Sequence, residues 1–579
     1  MKNKIIISLL PLKKNFDDLE QIKSKNKHSI FASKNSIVKI SNVSIFVEGY
    51  VLPRNNIFLE YSTKNQYELI YQLYSKHGKN FVKYIKGFFL VYIIDVNDIL
   101  IANDIHSVKR CYYHKDLENL IITNNINLIN NYIPLRLNKY APAIQATLQH
   151  FVNGLTMYED VLYSMPATLI EISKKFKKFN YWDFNEIIKE KKSTSTKQDF
   201  INVFKKSISN YIEYFKPANV SATLTGGRDT RSVLSALVNL KVRVHNFTFG
   251  YPTGIDVITA KEVSNKLDLA FSNHNIENLN TKTYSDLVDG VVNVNKTSIH
   301  IHRAHRLDAI IKEKEYCKDL DMLFVGAMGG DYIMGEGFND YIITKFVRKF
   351  LTEERNPITN IKETLDEHFV KYDDDTITFL LKYLEDFGLK HNIFNKEVEF
   401  NLVHNLIGCT HDVQDINIFM NYCNNIMSPF MDVDVIETLF TSNFSLFYNN
   451  RHTKNPIKRL RGGELQCLLI KTFAPQLADV NFSNQYSPND VLGNRFLYVI
   501  KRIFIQLTKK QSTPTFSYED WFKDFVSKEM ETLPENLKDL YDIKKFDSSL
   551  KNNTHNNDEG YWHKYSNLIM FSKYLKINN

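Results

Sequence analysis

Glycine is in short supply in this chain, with 20 in 579 residues, about half of average usage. Cysteine is scarcer still: Cys111, Cys317, Cys409, Cys423 and Cys467 are odd in number and far apart. They form no CxxC pair, which excludes a disulfide framework and favours a reducing, cytoplasmic setting. No hydrophobic run approaches the roughly 18 apolar residues of a membrane span, so no membrane partner is expected. A large excess of one charge is also missing. The 73 basic and 65 acidic residues leave a net charge of +8, spread along the chain. Without a dense Lys/Arg block interleaved with aromatics, no nucleic-acid partner is expected either. The opening MKNKIIISLLPLKK has only the short apolar core IIISLL and no small-residue cleavage site, so it reads as a first β-strand.

What remains is an ordinary globular composition, 43% hydrophobic and 24% charged, in a chain long enough for about two to four domains. Residues 1–185 read as β-rich: VSIFVEGYVL, FFLVYIIDV, ILIAND, CYYHKD and LIITNN are short apolar runs between polar turns, interrupted by a helix around NQYELIYQLYSKHG. The charged stretch NEIIKEKKSTSTKQD reads as a linker or the start of the next unit. From residue 200 strands (SATLT, VHNFTFG, AFSNHNI, DMLFVGA) alternate with helices near 230–239 and 255–267. That alternation implies a parallel sheet with right-handed crossovers. Past residue 340 the chain reads as mostly amphipathic helix, with no internal repeat.

Against this scarcity, two loops are rich in glycine. LTGGRDTRSVL, residues 224–234, follows a strand and opens a helix; GAMGGDYIMGEG, residues 326–337, holds five of the 20 glycines. Both fall at carboxyl ends of parallel strands, where such sheets bind ligands. A Gly-Gly turn at a helix N-terminus presents backbone N–H groups to an anion. Thr225, Thr230 and the amides of Gly226 and Gly227 are candidates to hold a phosphate chain, with Arg228 and Arg231 adding charge. Asp229 and Asp331, each close behind a Gly-Gly pair, suit a Mg²⁺ that bridges phosphate oxygens. Neither a GxxxxGK[ST] loop nor a GxGxxG fingerprint is present.

These residues carry a resemblance. Thr-Gly-Gly-Arg-Asp-Thr looks like the Ser-Gly-Gly-x-Asp-Ser pyrophosphate loop of N-type ATP pyrophosphatases, with Thr in place of Ser at 225 and 230. With GGDYIMGEG it resembles the synthetase domain of the asparagine synthetase-like family, which includes asparagine synthetases, β-lactam synthetases and lasso-peptide cyclases. FVEGYVL, YSKHGKNFVKYIKGFFLVYIID and ANDIHSVKRCYYH are similar to the family's N-terminal glutaminase-type domain. VLYSMPATLIEI and YWDF resemble its exit segment, and SPFMDVDVIETLF resembles the Pro-Phe-Leu-Asp helix. The resemblance implies an α/β fold. An Ntn-hydrolase-like β-rich sandwich over 1–185 would be followed by a HUP-like ATP-pyrophosphatase domain over 200–579 with a helical C-terminal part. It implies ATP and Mg²⁺ as cofactors, held by Leu224, Thr225, Gly226, Gly227, Asp229, Thr230, Arg231, Phe249, Gly329 and Gly330, with Asp229 and Asp331 on the metal. The implied activity is an ATP-dependent ligase that adenylates a carboxylate, releases pyrophosphate and joins an amine to form an amide.

The sequence departs from the family at several positions. Lys2 follows Met1 where glutaminases expose a cysteine, so the N-terminal domain is expected to be an inactive scaffold. Asp104 is kept, but Ile105 replaces the Arg expected beside it. Met328 stands where asparagine synthetases carry Glu and β-lactam synthetases Tyr, and a thioether does no acid–base work; Tyr332 replaces a frequent Glu. In PQLADVNFSNQYS, Asn481 and Ser483 stand where Arg and the catalytic Lys would be. Lys458 is the candidate replacement cation, with Arg459, Arg461 and Lys471 beside it and a plain helix-surface role as the alternative. His300, His302 and His305 in HIHRAH read as a metal cluster or as satisfied histidines, the spacing not sharing one helix face. Asp256 is either pocket-edge or structural. Two other readings stay open: an asparagine synthetase-type enzyme fed by free ammonia or a partner glutaminase, and a degenerate ATP-binding protein. The expected partners are a small-molecule or peptide carboxylate and an amine, and a homo-oligomer is compatible with the sequence.

Overall fold

The computed structural model describes residues 3–8, 18–22, 29–96, 98–116, 119–173, 175–183, 186–187, 195–276, 279–295, 300–330, 357–391, 411–423, 425–442, 463–508, 521–552 and 559–578. Asp331, Tyr332, Lys458, Arg459 and Arg461 lie outside the described residues.

The fold is mixed α/β, with antiparallel sheets followed by a parallel one. The first part holds two six-stranded antiparallel sheets built from Ile5–Ser8 to Phe176–Asn180. Strand Phe89–Ile94 shows why its sequence is a continuous apolar run, with all six residues buried. Leu90, Tyr92 and Ile94 face the other sheet, packing with Ile5, Ile7 and Ile122. Phe89, Val91 and Ile93 face the helix Gln66–His77 through Leu69, Ile70 and Leu73. Period-two alternation thus serves two apolar layers instead of one. Asn65 starts that helix by accepting the amides of Tyr67 and Glu68.

The stretch read as a linker ends in a helix start. Thr196 and Asp199 form a capping box on the helix Lys197–Phe215, with both reciprocal bonds present. A five-stranded parallel sheet follows, in the spatial order Phe271–His274, His245–Phe249, Val220–Thr223, Met322–Phe324, Asn425–Met427. The helices Arg228–Asn239 and Ile255–Lys266 stand where the alternation predicts them. The fifth strand was not expected, because residues past 340 read as helical. It pairs in parallel with Met322–Phe324 and carries only three residues, too few to show a period.

Charged groups join the antiparallel sheets to the segment after that last strand. Arg54 Nη2 lies 2.8 Å from Asp434 and 2.7 Å from Glu437. Lys86 Nζ lies 2.8 Å from Asp432 and 3.1 Å from Asp434. Burial alone would raise the Asp434 pKa, but Lys86 and Arg54 outweigh it and hold the carboxyl well below the usual range. The Tyr50 hydroxyl donates to the Ile426 carbonyl, and Trp182 Nε1 donates to Glu437 over 2.9 Å. The SPFMDVDV resemblance segment is therefore a joint between the two sheet systems.

Candidate active site

In chain order the parallel strands run 3-2-1-4-5 across the sheet, so the order reverses between Val220–Thr223 and Met322–Phe324. A crevice opens beyond the carboxyl ends of strands at such a reversal. Both glycine loops leave the sheet there. A cavity of about 390 Å³ occupies the crevice and is lined by Thr225, Thr230, Phe249, Asp256, Arg306 and Gly326, among others. A larger cavity of about 460 Å³, lined by Lys4, Glu48, Lys109 and Asn417, contains none of the residues that the glycine loops supply.

The first loop is held by its own side chains. The Thr225 amide donates to Thr230 Oγ1 over 3.1 Å, and the two hydroxyls lie 3.2 Å apart. The expectation that the Gly226 and Gly227 amides stand open to phosphate needs correction. Gly226 N–H donates to Asp256 Oδ1 over 3.1 Å, and Gly227 N–H to Thr225 Oγ1 over 3.2 Å. A carboxylate oxygen thus already sits on the glycine turn, as an anion would. Gly226 also has no room for a side chain: a Cβ there would lie 2.6 Å from Ser483 Cβ and 2.7 Å from Asp256 Oδ1. Ser483 N–H donates to the Gly226 carbonyl over 3.0 Å, so the 480–486 segment is seated on the loop.

Asp229 ties the two loops together. Its Oδ2 accepts the Gly330 N–H over 2.9 Å, and its Oδ1 accepts Gln466 Nε2 over 3.0 Å. Asp229 is not the helix cap; that position belongs to Gly227, which has no side chain to offer. The loops meet as closely as glycine permits. A Cβ at Gly329 would stand 2.6 Å from the Asp229 carboxyl, and one at Gly326 would stand 2.6 Å from Thr230 N. Met328, between them, is buried and has a left-handed backbone with φ 67°, a conformation that costs a bulky side chain free energy.

Other expected residues divide sharply. Phe249 lines the cavity, with its ring 5.5 Å from that of His305. Leu224 is fully buried and contributes backbone, donating to the Phe247 carbonyl over 2.8 Å. Arg231 is a correction. Its guanidinium is buried below the helix, donating to the carbonyls of Val480 and Asn481 over 2.7 and 2.9 Å and stacking 4.4 Å above the Phe482 ring. Burial lowers its pKa to about 10. It fixes the 480–486 segment and does not face the cavity. Arg228 donates to the Tyr486 hydroxyl over 3.2 Å, against the same segment. Lys471 is exposed to solvent.

The histidines of HIHRAH lie in the core. His300 Nε2 is 3.3 Å from His150 Nδ1, and its ring stacks on His563 of the C-terminal helix Glu559–Asn578, with centroids 4.6 Å apart. Burial lowers the His150 pKa to about 4. Among the described residues no group of three or more His, Cys, Asp or Glu side chains is arranged to hold a metal ion.

Sequence reasoning missed the arginines of the same motif. Arg303 and Arg306 share one carboxylate, Asp415, at 2.8 and 3.0 Å. Arg306 and Asp415 both line the cavity. The arginines' spacing of three residues was the available signal.

No protein-family model matches the chain, and no curated protein does. Among solved structures the chain is similar to glutamine phosphoribosylpyrophosphate amidotransferase from B. subtilis in complex with ADP and GMP. That match has 9% identity, covers 34% of this chain and 47% of that one, and has a TM-score of 0.19. A second is titled an allosteric regulatory enzyme of purine biosynthesis, at 10% identity, 38% and 54% coverage and TM-score 0.20. A third is glutamine-dependent NAD⁺ synthetase from Acinetobacter baumannii in complex with ADP, at 12% identity, 46% and 65% coverage and TM-score 0.17. The chain spans less than two thirds of each of these structures, and at such TM-scores they carry no argument about function.

Proposed function

We propose that this protein is an ATP-dependent ligase that activates a carboxylate as its adenylate, releases pyrophosphate and transfers the acyl group to an amine. One observation carries the reading: two glycine loops, bridged by the Asp229 carboxylate, converge at the reversal point of a parallel sheet, where residues of both loops line a cavity of small-molecule size. Aromatic Phe247 and Phe249 offer the cavity's apolar wall for a base. The hydroxyls of Thr225 and Thr230 and the first turn of the helix Arg228–Asn239 offer donors to a phosphate chain.

The residues fit a hard divalent cation. Asp229 brings a carboxylate to the point where the two loops meet, and carboxylate oxygen is the donor such a cation takes. With Asp331 next to Gly330 in sequence and oxygens from the nucleotide, a Mg²⁺ would need no larger protein cluster. When bound it would neutralise charge on the departing pyrophosphate. Asp256 would give up the Gly226 amide to a phosphate oxygen and so gate the loop. Arg306, which lines the cavity, would receive the substrate carboxylate, and the amine would approach from the open side of the cavity.

Titration calorimetry with ATP in Mg²⁺, with inorganic pyrophosphate as competitor, tests this. ATP should bind, and pyrophosphate should displace it while orthophosphate does not. A protein that binds neither ATP nor pyrophosphate would refute the proposal.

A further inference from the structure

The helix Arg495–Thr508, RFLYVIKRIFIQLT, turns its apolar side the wrong way for a core helix. Phe496, Leu497, Ile500, Ile503, Phe504 and Leu507 are exposed by 71, 64, 48, 52, 64 and 82%. At 100° per residue these six cover one continuous arc of about 120°. The opposite side holds the helix to the protein. Tyr498 is buried with its ring 5.6 Å from Tyr486, and Ile505 packs on the same core. Asn494 caps the first turn by accepting the amide of Phe496 over 2.8 Å. An exposed arc of this size is unusual for a soluble surface.

Charge selects the partner. The helix contains Arg495, Lys501 and Arg502 and no acidic residue. On the wheel Lys501 lies about 40° beyond one edge of the apolar arc, while Arg495 and Arg502 lie about 80° and 100° beyond the other, on the polar side. Lys501 is partly committed to Asp490 at 2.6 Å, and Arg502 lies 5.9 Å from the Tyr498 ring. An exposed apolar face on a helix whose only charges are cationic and lie on its polar side is the pattern of a helix lying in the headgroup layer of an anionic bilayer. Its 14 residues give about 21 Å, too short for the roughly 30 Å hydrocarbon core. Among the described residues no helix is long and apolar enough to cross a membrane. A second copy fits less well, because two such helices bring only like charges together.

We propose that Arg495–Thr508 is a membrane-surface helix that docks this protein on anionic lipid. The docking revises the expectation of no membrane partner, which rested on spans alone. It is independent of the ligase reading but lies next to it. Tyr486, which packs on Tyr498, accepts the Arg228 bond in the segment seated on Gly226.

Flotation of the full chain with phosphatidylcholine vesicles containing 30 mol% phosphatidylserine, and with pure phosphatidylcholine vesicles, tests it. The protein should float with the anionic vesicles, fail to float with the neutral ones, and bind less as salt rises from about 50 to 300 mM. The double variant Phe496→Ser/Phe504→Ser should lose at least about tenfold in binding from lost apolar area, and Arg502→Gln about fivefold. Melting temperature should hold in both, because the changed groups face solvent. No flotation, or flotation unchanged in the double variant, would overturn the proposal. So would self-association in sedimentation velocity that the double variant abolishes, which would assign the face to a second copy. A marked fall in melting temperature of that variant would also overturn it, since the face would then belong to this chain's own core.

Discussion

Replacing Asp229 by Asn removes one charge and little shape. Asp229 Oδ2 holds the Gly330 amide at 2.9 Å and Oδ1 holds Gln466 Nε2 at 3.0 Å. Asn keeps one acceptor for Gly330 but turns an NH₂ toward Gln466. Gln466 can answer by rotating its amide, since its buried Oε1 has no hydrogen-bond partner. Both bonds then survive as neutral ones. Hydrogen bonds to charged groups contribute about 1.5–3 kcal/mol and neutral ones about 0.5–1.5, so the variant should lose roughly 2 kcal/mol and stay folded. Asp229→Ala, by contrast, strands two buried donors at about 1–3 kcal/mol each. Activity should part from stability. With the anionic metal ligand gone, turnover should fall about 10²–10³-fold, and ATP affinity in Asp229→Asn should no longer respond to EDTA. Thermal unfolding and calorimetry with and without Mg²⁺ measure the two arms. If Asp229 serves only the helix dipole, worth about 0.3–1 kcal/mol, the folded variant will bind Mg-ATP like wild type. That result would refute the metal-ligand role.

Gly329→Ala should part the loops, because its Cβ would meet the Asp229 carboxyl at 2.6 Å and the Phe430 ring at 2.9 Å; a loss of about 1–3 kcal/mol and of ATP binding is expected by the same two assays. Arg231→Met should cost about 1–3 kcal/mol of stability yet leave the Mg dependence of ATP binding intact, which separates a structural arginine from a phosphate ligand. Acid should weaken the joint at Asp434. The folded pKa is depressed, so the contribution is full above the unfolded value of about 3.9 and is lost as pH falls through the folded value. Arg54→Met should lower stability at neutral pH by about 3–5 kcal/mol and flatten its dependence below pH 4 in acid-denaturation curves.

The strand–loop–helix at 220–239 was legible because glycine is so rare here that a Gly-Gly pair between an apolar run and a helical period stands out. The same contrast marked residues 326–330. Asp256 was readable only as a candidate. What makes it matter is its bond to Gly226 across 30 residues of sequence, and no local pattern encodes that. Arg231 misled for a related reason. Beside a phosphate-type loop an arginine reads as a phosphate ligand, but its position on the helix carries it over the Phe482 ring, where it bonds the carbonyls of the 480–486 segment. Arg306 was overlooked because its partner, Asp415, lies 109 residues away. The face at 496–507 has a clear helical period, but only exposure distinguishes an outward apolar stripe from an inward one.

The bond broken in ATP tests the central claim most directly. The protein is incubated with Mg²⁺ and ATP labelled at the α-phosphate, in the presence of a panel of carboxylic acids and hydroxylamine as the trapping amine. The products are then resolved by chromatography. The account predicts label in AMP, an equal yield of pyrophosphate, and a hydroxamate of one acid. Label recovered in ADP with release of orthophosphate would contradict it.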